Sequence, residues 1–145
     1  MKTLEEEFNR FLMESIPNAM NRNKYLKKFE EEGCADIRYM DEFNDDDFLK
    51  NDIFMKKLDL KRFKKYIQTF KQKKDKFKQC FKELNKNDIY FEMFENKGIL
   101  TFDAFEMYIK SSINVKKIIK NIKNSEILFN HIQTKIHYST SMEGQ

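Results

Sequence analysis

Tryptophan is absent from this chain of 145 residues, proline occurs once and glycine three times, so few positions force a helix to stop. Gly33, Gly98 and Gly144 stand far apart and form no phosphate-cradling loop. The two cysteines, Cys34 and Cys80, lack metal-ligand spacing and suit a reduced thiol pair better than a disulfide. The two histidines, His131 and His137, are six apart, on different faces of a helix, and no Cys or carboxylate stands where it would partner them. The expectation is therefore a chain that is not an enzyme and needs no cofactor. No stretch approaches the roughly 20 apolar residues of a membrane span. The opening MKTLEEEF is acidic where a transit peptide is Arg-rich, and it lacks the apolar run of a secretory signal, which leads to an expected cytoplasmic location. Neither charge dominates: 28 basic against 24 acidic residues give a net charge of +4, too mild to point to nucleic acid.

What the chain does have is fifteen Phe, six Tyr and 36% charged residues, with a mean hydropathy of -0.79. Such a composition fits a soluble, charge-rich helical protein with ample apolar surface to bury, and it speaks against disorder. Thr3 followed by Glu6 resembles a capping box, and Leu4, Phe8, Phe11, Leu12 and Ser15 fall on one face of a helix over residues 3 to 15. Pro17 and Asn18 end that helix, and Asn21 to Asn23 read as a polar joint. From Tyr25 to Phe70, short apolar-periodic segments are separated by Gly33, by Asn44 to Asp47 and by Asn51-Asp52. A longer stretch then places Leu60, Phe63, Ile67 and Phe70 at helical spacing. Lys74 interrupts that stripe before Phe77, Cys80, Phe81 and Leu84 resume it, and no Gly or Pro intervenes. One long helix with a solvated middle is expected there.

From Asn85 the pattern returns. Tyr25, Phe29, Glu30 and Gly33 have counterparts 65 residues on, in Tyr90, Phe94, Glu95 and Gly98. Without a gap, the same offset sets Cys34 on Ile99, Ile37 on Phe102, Met40 on Phe105, Phe43 on Tyr108, Phe48 on Ile113, Ile53 on Ile118, Phe63 on Leu128 and Ile67 on Ile132. Charge is not repeated. Asp45, Asp46 and Asp47 fall on Lys110, Ser111 and Ser112, and Lys61, Arg62, Lys64 and Lys65 on Glu126, Ile127, Phe129 and Asn130. An internal duplication with shared cores and different surfaces is the expectation.

Residues 20 to 72 resemble a SAM (sterile alpha motif) domain, a small five-helix module. The features carrying the likeness are Tyr25 and Phe29, Gly33-Cys34, Met40 and Phe43, Asp47-Phe48-Leu49, Asp52-Ile53, and a closing helix through Phe63 and Ile67. Asp52 and Lys117 stand where the family usually has a glycine, and Lys57-Leu58-Asp59 replaces its usual Gly-x-Arg. In that family an acidic surface of one copy often docks on the basic start of the last helix of another. The resemblance implies such an acidic surface at Asp41, Glu42, Asp45, Asp46 and Asp47, and a basic one at Lys56, Lys57 and Lys61, with Arg62, Lys64 and Lys65 continuing it along the helix. Taken by themselves, the acidic residues suit a helix start and the basic ones a solvated helix face. Calcium is excluded at the acidic run, where Phe43 takes a ligand position, and at Phe94 to Asp103, which is too short and holds Lys97 at one.

The expected architecture is all-α: two small SAM-like helical bundles joined by a long helix, with an N-terminal amphipathic helix. Its parts are the helix at 1–19, a SAM-like module at 20–72, a helical linker at 73–84, a divergent second module at 85–138 and a polar tail at 139–145. The expected function is that of a non-catalytic adaptor, scaffold or structural component of a multi-protein assembly, binding other proteins, SAM domains or itself, in the cytoplasm and at the cytoskeleton. Leu4, Phe8, Phe11 and Leu12 form a candidate partner-binding face, or else dock on their own bundle. Two alternatives stand beside it: an RNA-binding module using the basic helix, against which the adjacent acidic run speaks, and a single helical-bundle subunit of a large complex.

Overall fold

The computed structural model describes the backbone of residues 3–43, 45–84 and 88–143, with side chains up to His137. The chain is all-helical. Its described residues form α1 (Thr3–Ser15), α2 (Ala19–Glu31), a 3-10 helix (Ile37–Glu42), α3 (Asp46–Asn51), α4 (Lys57–Leu84), α5 (Ile89–Glu95), α6 (Phe102–Tyr108), α7 (Ser112–Ile119) and α8 (Ile122–Glu143). No helix among them is long and apolar enough to cross a membrane. The chain divides into two compact units, residues 1–72 and 73–145, and the division falls inside α4.

In the first unit, α1 forms where the periodicity placed it. Thr3 does not cap it: the residue is helical and buried, and its hydroxyl has no hydrogen-bond partner among the described residues. Arg10 instead grips the buried carboxylate of Glu7 through two contacts of 2.6 Å, one turn along. At Pro17 the helix has ended, and the Asn18 side chain accepts from the Asn21 amide at 2.9 Å to start α2 at Ala19. Asn21 to Asn23 therefore lie inside α2 and are no joint. The cap, together with Arg22 donating to the Ile16 carbonyl at 3.1 Å, outweighs their weak helix preference. α2 ends at Gly33, whose φ of +70° lets the Gly33 and Cys34 amides reach back to the Glu30 and Phe29 carbonyls, each at 3.0 Å.

The face of α1 proposed as a free partner site is not free. Phe8, Phe11 and Leu12 are buried and Leu4 is half-buried, because α1 packs on α2 and the 3-10 helix. Phe8 meets Phe29 edge-on at 5.5 Å, and Phe11 meets Phe63 and Phe70 at 5.6 and 5.7 Å. Burying three such side chains is worth several kcal/mol at about 1.5–3 kcal/mol each, which a free helix would forgo.

The second unit repeats the scheme. Its first helical segment is the end of α4, so residues 73–84 are not a bare linker: Phe77, Cys80 and Phe81 are fully buried. Phe81, 65 residues after the buried Ile16, meets Phe94 at 5.2 Å. Lys74, expected in solvent, has a side chain only 13% exposed and pairs with Glu95 at 3.4 Å. The 3-10 helix begins at Ile37 and α6 at Phe102; α4 begins at Lys57 and α8 at Ile122, each 65 apart. Gly98, at φ +80°, ends its helix as Gly33 does, with Gly98 and Ile99 amides reaching the Glu95 and Phe94 carbonyls. Tyr25 donates to Asp59 at 2.7 Å, and Tyr90 accepts from Asn124 at 2.7 Å, at the same offset in both partners.

The offset does shift once. In the first turn of α7 Val115 is buried and Asn114 is not, so Val115 answers Leu49 at 66, and Ile113, set against Phe48 by the gapless alignment, is 66% exposed. α7 is two residues longer than α3, and the connection after it is shorter, so the register returns to 65 at α8. α8 runs to Glu143 and takes in most of the expected polar tail. Asn44, and Asn85 at the expected start of the second module, lie outside the described residues.

Candidate functional site

The charged residues singled out in the first unit all lie within one compact body, and the fold sorts them by what they already do. Asp45 is the N-cap of α3: its carboxylate accepts from the Asp47 and Phe48 amides at 2.9 and 3.4 Å. Asp46 faces Lys64 of α4 at 2.7 Å, and hydrogen bonding to that ammonium holds its carboxyl below the usual carboxylate range. One member of the acidic set and one of the basic set are thus joined to each other inside the unit. Glu42 and Asp47 project into solvent, and Asp41 is half-buried in the 3-10 helix. Beside them Arg38 holds Asp36 through three contacts between 2.6 and 3.1 Å; although burial opposes it, this pairing lowers the Asp36 pKa.

On the basic side Lys56, Lys57, Lys61, Arg62 and Lys65 are exposed, and none has an ion pair among the described residues. They are not only a charged helix face. Leu58, 79% exposed, and Tyr66 lie among Lys61, Arg62 and Lys65 in an open groove that reaches Pro17. Leu58 stands off the Leu60, Phe63, Ile67 and Phe70 stripe that the sequence pattern placed in the core. The helix start is fixed by Asp59, which accepts from both Tyr25 and Asn21. Burial, foremost, and the Asp59 carboxylate push the Tyr25 phenol up to about 12, so this hydroxyl stays a donor throughout the neutral range.

A second surface of the first unit carried no signal in the motif reading. Phe54, in the turn between α3 and α4, is 61% exposed and adopts φ +62°, a left-handed conformation that a bulky residue rarely takes. The absence of glycine from Asp52-Ile53-Phe54 was the available clue. Lys28 lies over its ring at 5.3 Å.

In the second unit the positions of Glu42, Lys57 and Arg62 are taken by Met107, Ile122 and Ile127, all exposed, while Lys110 and Glu126 stand with opposite charge at those of Asp45 and Lys61. His131 contacts the Cys80 carbonyl at 3.1 Å and lies 3.6 Å from Glu83, which Lys135 also holds at 2.8 Å. The Lys135 hydrogen bond keeps Glu83 below the usual range. The Cys80 thiol is buried and pushed up to about 12, chiefly by burial, and Cys34, half-buried, is raised for the same reason, so neither is poised as a nucleophile. Both are free thiols. No group of three or more His, Cys, Asp or Glu among the described residues could hold a metal ion. No protein-family model matches the chain, and neither a curated protein nor a solved structure does.

Proposed function

We propose that the chain is a non-catalytic adaptor or scaffold, a structural component of a larger assembly, whose first unit acts as a SAM-like interaction module. In this reading the acidic surface of one copy, centred on Glu42 and Asp47, docks on the basic start of α4 in another, at Lys57, Lys61, Arg62 and Lys65. The observation that carries it is the contrast between the units: helix order, capping glycines and the tyrosine hydrogen bonds to residues 59 and 124 recur, while Glu42, Asp47, Lys57, Lys61, Arg62 and Lys65 have no like charge at the matching positions of the second unit. Charges that the core does not require, held on one copy of a repeated scaffold, are the part free to serve recognition. The first unit holds five helical segments only when α1 is counted; residues 20–72, which carry the resemblance, hold four.

The chemistry suits such a contact. Leu58 and Tyr66 add exposed apolar surface to the lining of the basic groove, and the ammonium and guanidinium groups beside them, without an ion pair among the described residues, speed encounter and fix register more than they add affinity. Acidic and basic surfaces on one chain make the contact head-to-tail, so it can propagate.

Light scattering on the full chain tests this. At about 0.05 M salt, where screening is weak, the mean mass should rise with protein concentration, and at about 0.5 M it should fall to the monomer. Lys57→Glu with Lys61→Glu should abolish the rise, and mixing that variant with Glu42→Lys, Asp47→Lys should restore pairs. A mass that never exceeds the monomer at high protein and low salt refutes self-association.

A further inference from the structure

Phe54 combines two features that folding alone disfavours. A bulky side chain at φ +62° costs about 1–3 kcal/mol against a glycine in the same place, and its ring is 61% exposed. Around the ring lies a groove with Tyr25 and Ile53 in its wall and Lys24, Lys27 and Lys56 along its edges. Those three lysines have no ion pair among the described residues, whereas Lys28 is engaged, over the Phe54 ring at 5.3 Å and with Glu31 at 3.4 Å. The groove is thus apolar in part and lined by those three lysines without an ion pair, together with the paired Lys28 and Glu31.

We infer that the Phe54 groove is a docking site for an acidic linear segment of another protein, one that places a single apolar or aromatic side chain against Phe54 and carboxylates on Lys24, Lys27 and Lys56. Charge complementarity selects the occupant. An apolar wall needs an apolar side chain, and the ammonium groups of Lys24 and Lys27 on α2 and of Lys56 before α4 match carboxylates flanking it. A nucleic-acid strand fits less well: Lys28 already occupies one face of the ring on which a base would stack, and the Glu31 carboxylate lines the same groove. This site is separate from the groove at Lys57, Lys61 and Lys65 and does not depend on head-to-tail association.

The test is fluorescence anisotropy of the full chain with a labelled peptide, EDDFEDE, at about 0.05 M salt. The wild type should bind saturably, and replacing the acids by their amides, or the phenylalanine by glycine, should weaken binding about tenfold or more, equivalent to about 1.4 kcal/mol. Phe54→Gly should weaken it equally while the chain melts no lower than the wild type, since glycine adopts this backbone without strain. If glycine lowers the melting point, Lys24→Glu with Lys27→Glu, both at exposed helical positions, decides: a tenfold loss upholds the site and unchanged affinity overturns it. Lys57→Glu with Lys61→Glu should leave peptide binding unaltered, whatever it does to self-association. Absence of binding, equal binding of the amide peptide, or displacement of the peptide by a uridine oligonucleotide at lower concentration would each overturn the inference.

Discussion

Removing one hydroxyl from each unit should reveal how differently the two copies use the same lock. The Tyr25 hydroxyl donates to the Asp59 carboxylate at 2.7 Å and accepts from the Lys56 amide at 3.0 Å. Tyr25→Phe removes a hydrogen bond to a charged group, worth about 1.5–3 kcal/mol, and leaves the Lys56 amide to find water. Asp59 keeps the Asn21 amide at 3.1 Å, which limits the loss, so about 2–3 kcal/mol is expected. In the second unit Tyr90 is half-buried and its partner is the neutral Asn124 amide, so Tyr90→Phe should cost only about 0.5–1.5 kcal/mol. Urea denaturation followed by circular dichroism reads both, and unchanged slopes would show that only stability moved. If Tyr90→Phe costs as much as Tyr25→Phe, the charged bond and the second partner do not set the difference, and the reasoning fails.

Two further perturbations follow from local geometry. Gly33 has φ +70° and open space where a Cβ would stand, so Gly33→Ala should cost about 1–2 kcal/mol from backbone strain alone, and Gly33→Asn less, as thermal unfolding would show. The Cys80 thiol ionises at an ordinary value of 9.0 when unfolded and at about 12 when folded, so its contribution to stability is complete below pH 9 and is lost as pH rises towards 12. The stability difference between wild type and Cys80→Ala should therefore shrink across that range in urea titrations, and a constant difference would contradict the burial of the thiol.

Much of the fold was legible because its signals are local. The α1 periodicity, the stop at Pro17 and the glycines at 33 and 98 each act through a few neighbouring residues. The 65-residue offset was readable because it rests on residues that bury, such as Phe29 with Phe94 and Phe63 with Leu128. What escaped notice depends on contacts distant in sequence. Nothing in Leu4 to Leu12 says whether an amphipathic face meets its own unit or a partner. The fate of Lys74 is decided by Glu95, and that of Asp46 by Lys64. The one-residue shift at α7 was hidden because Ile113 and Val115 are both apolar, and alternation of class cannot tell which one turns inward. At the candidate surfaces, the charges were visible but their availability was not. Asp45 suited a helix start by itself and a docking surface through the resemblance, and it is a helix cap, whereas the exposure of Leu58 and Phe54 reverses the usual inference from apolar character.

The central claim is that one helical scheme is built twice, with recognition left to surfaces that differ. Backbone NMR assignment of the full chain tests it most directly. Chemical shifts and amide couplings should show helix starts at Ile37 and Phe102 and at Lys57 and Ile122, left-handed glycines at 33 and 98, and α4 helical without a break from Lys57 to Leu84. A break in α4 near residue 72, or helix starts in the second half that do not follow the first at 65 residues, would contradict the account.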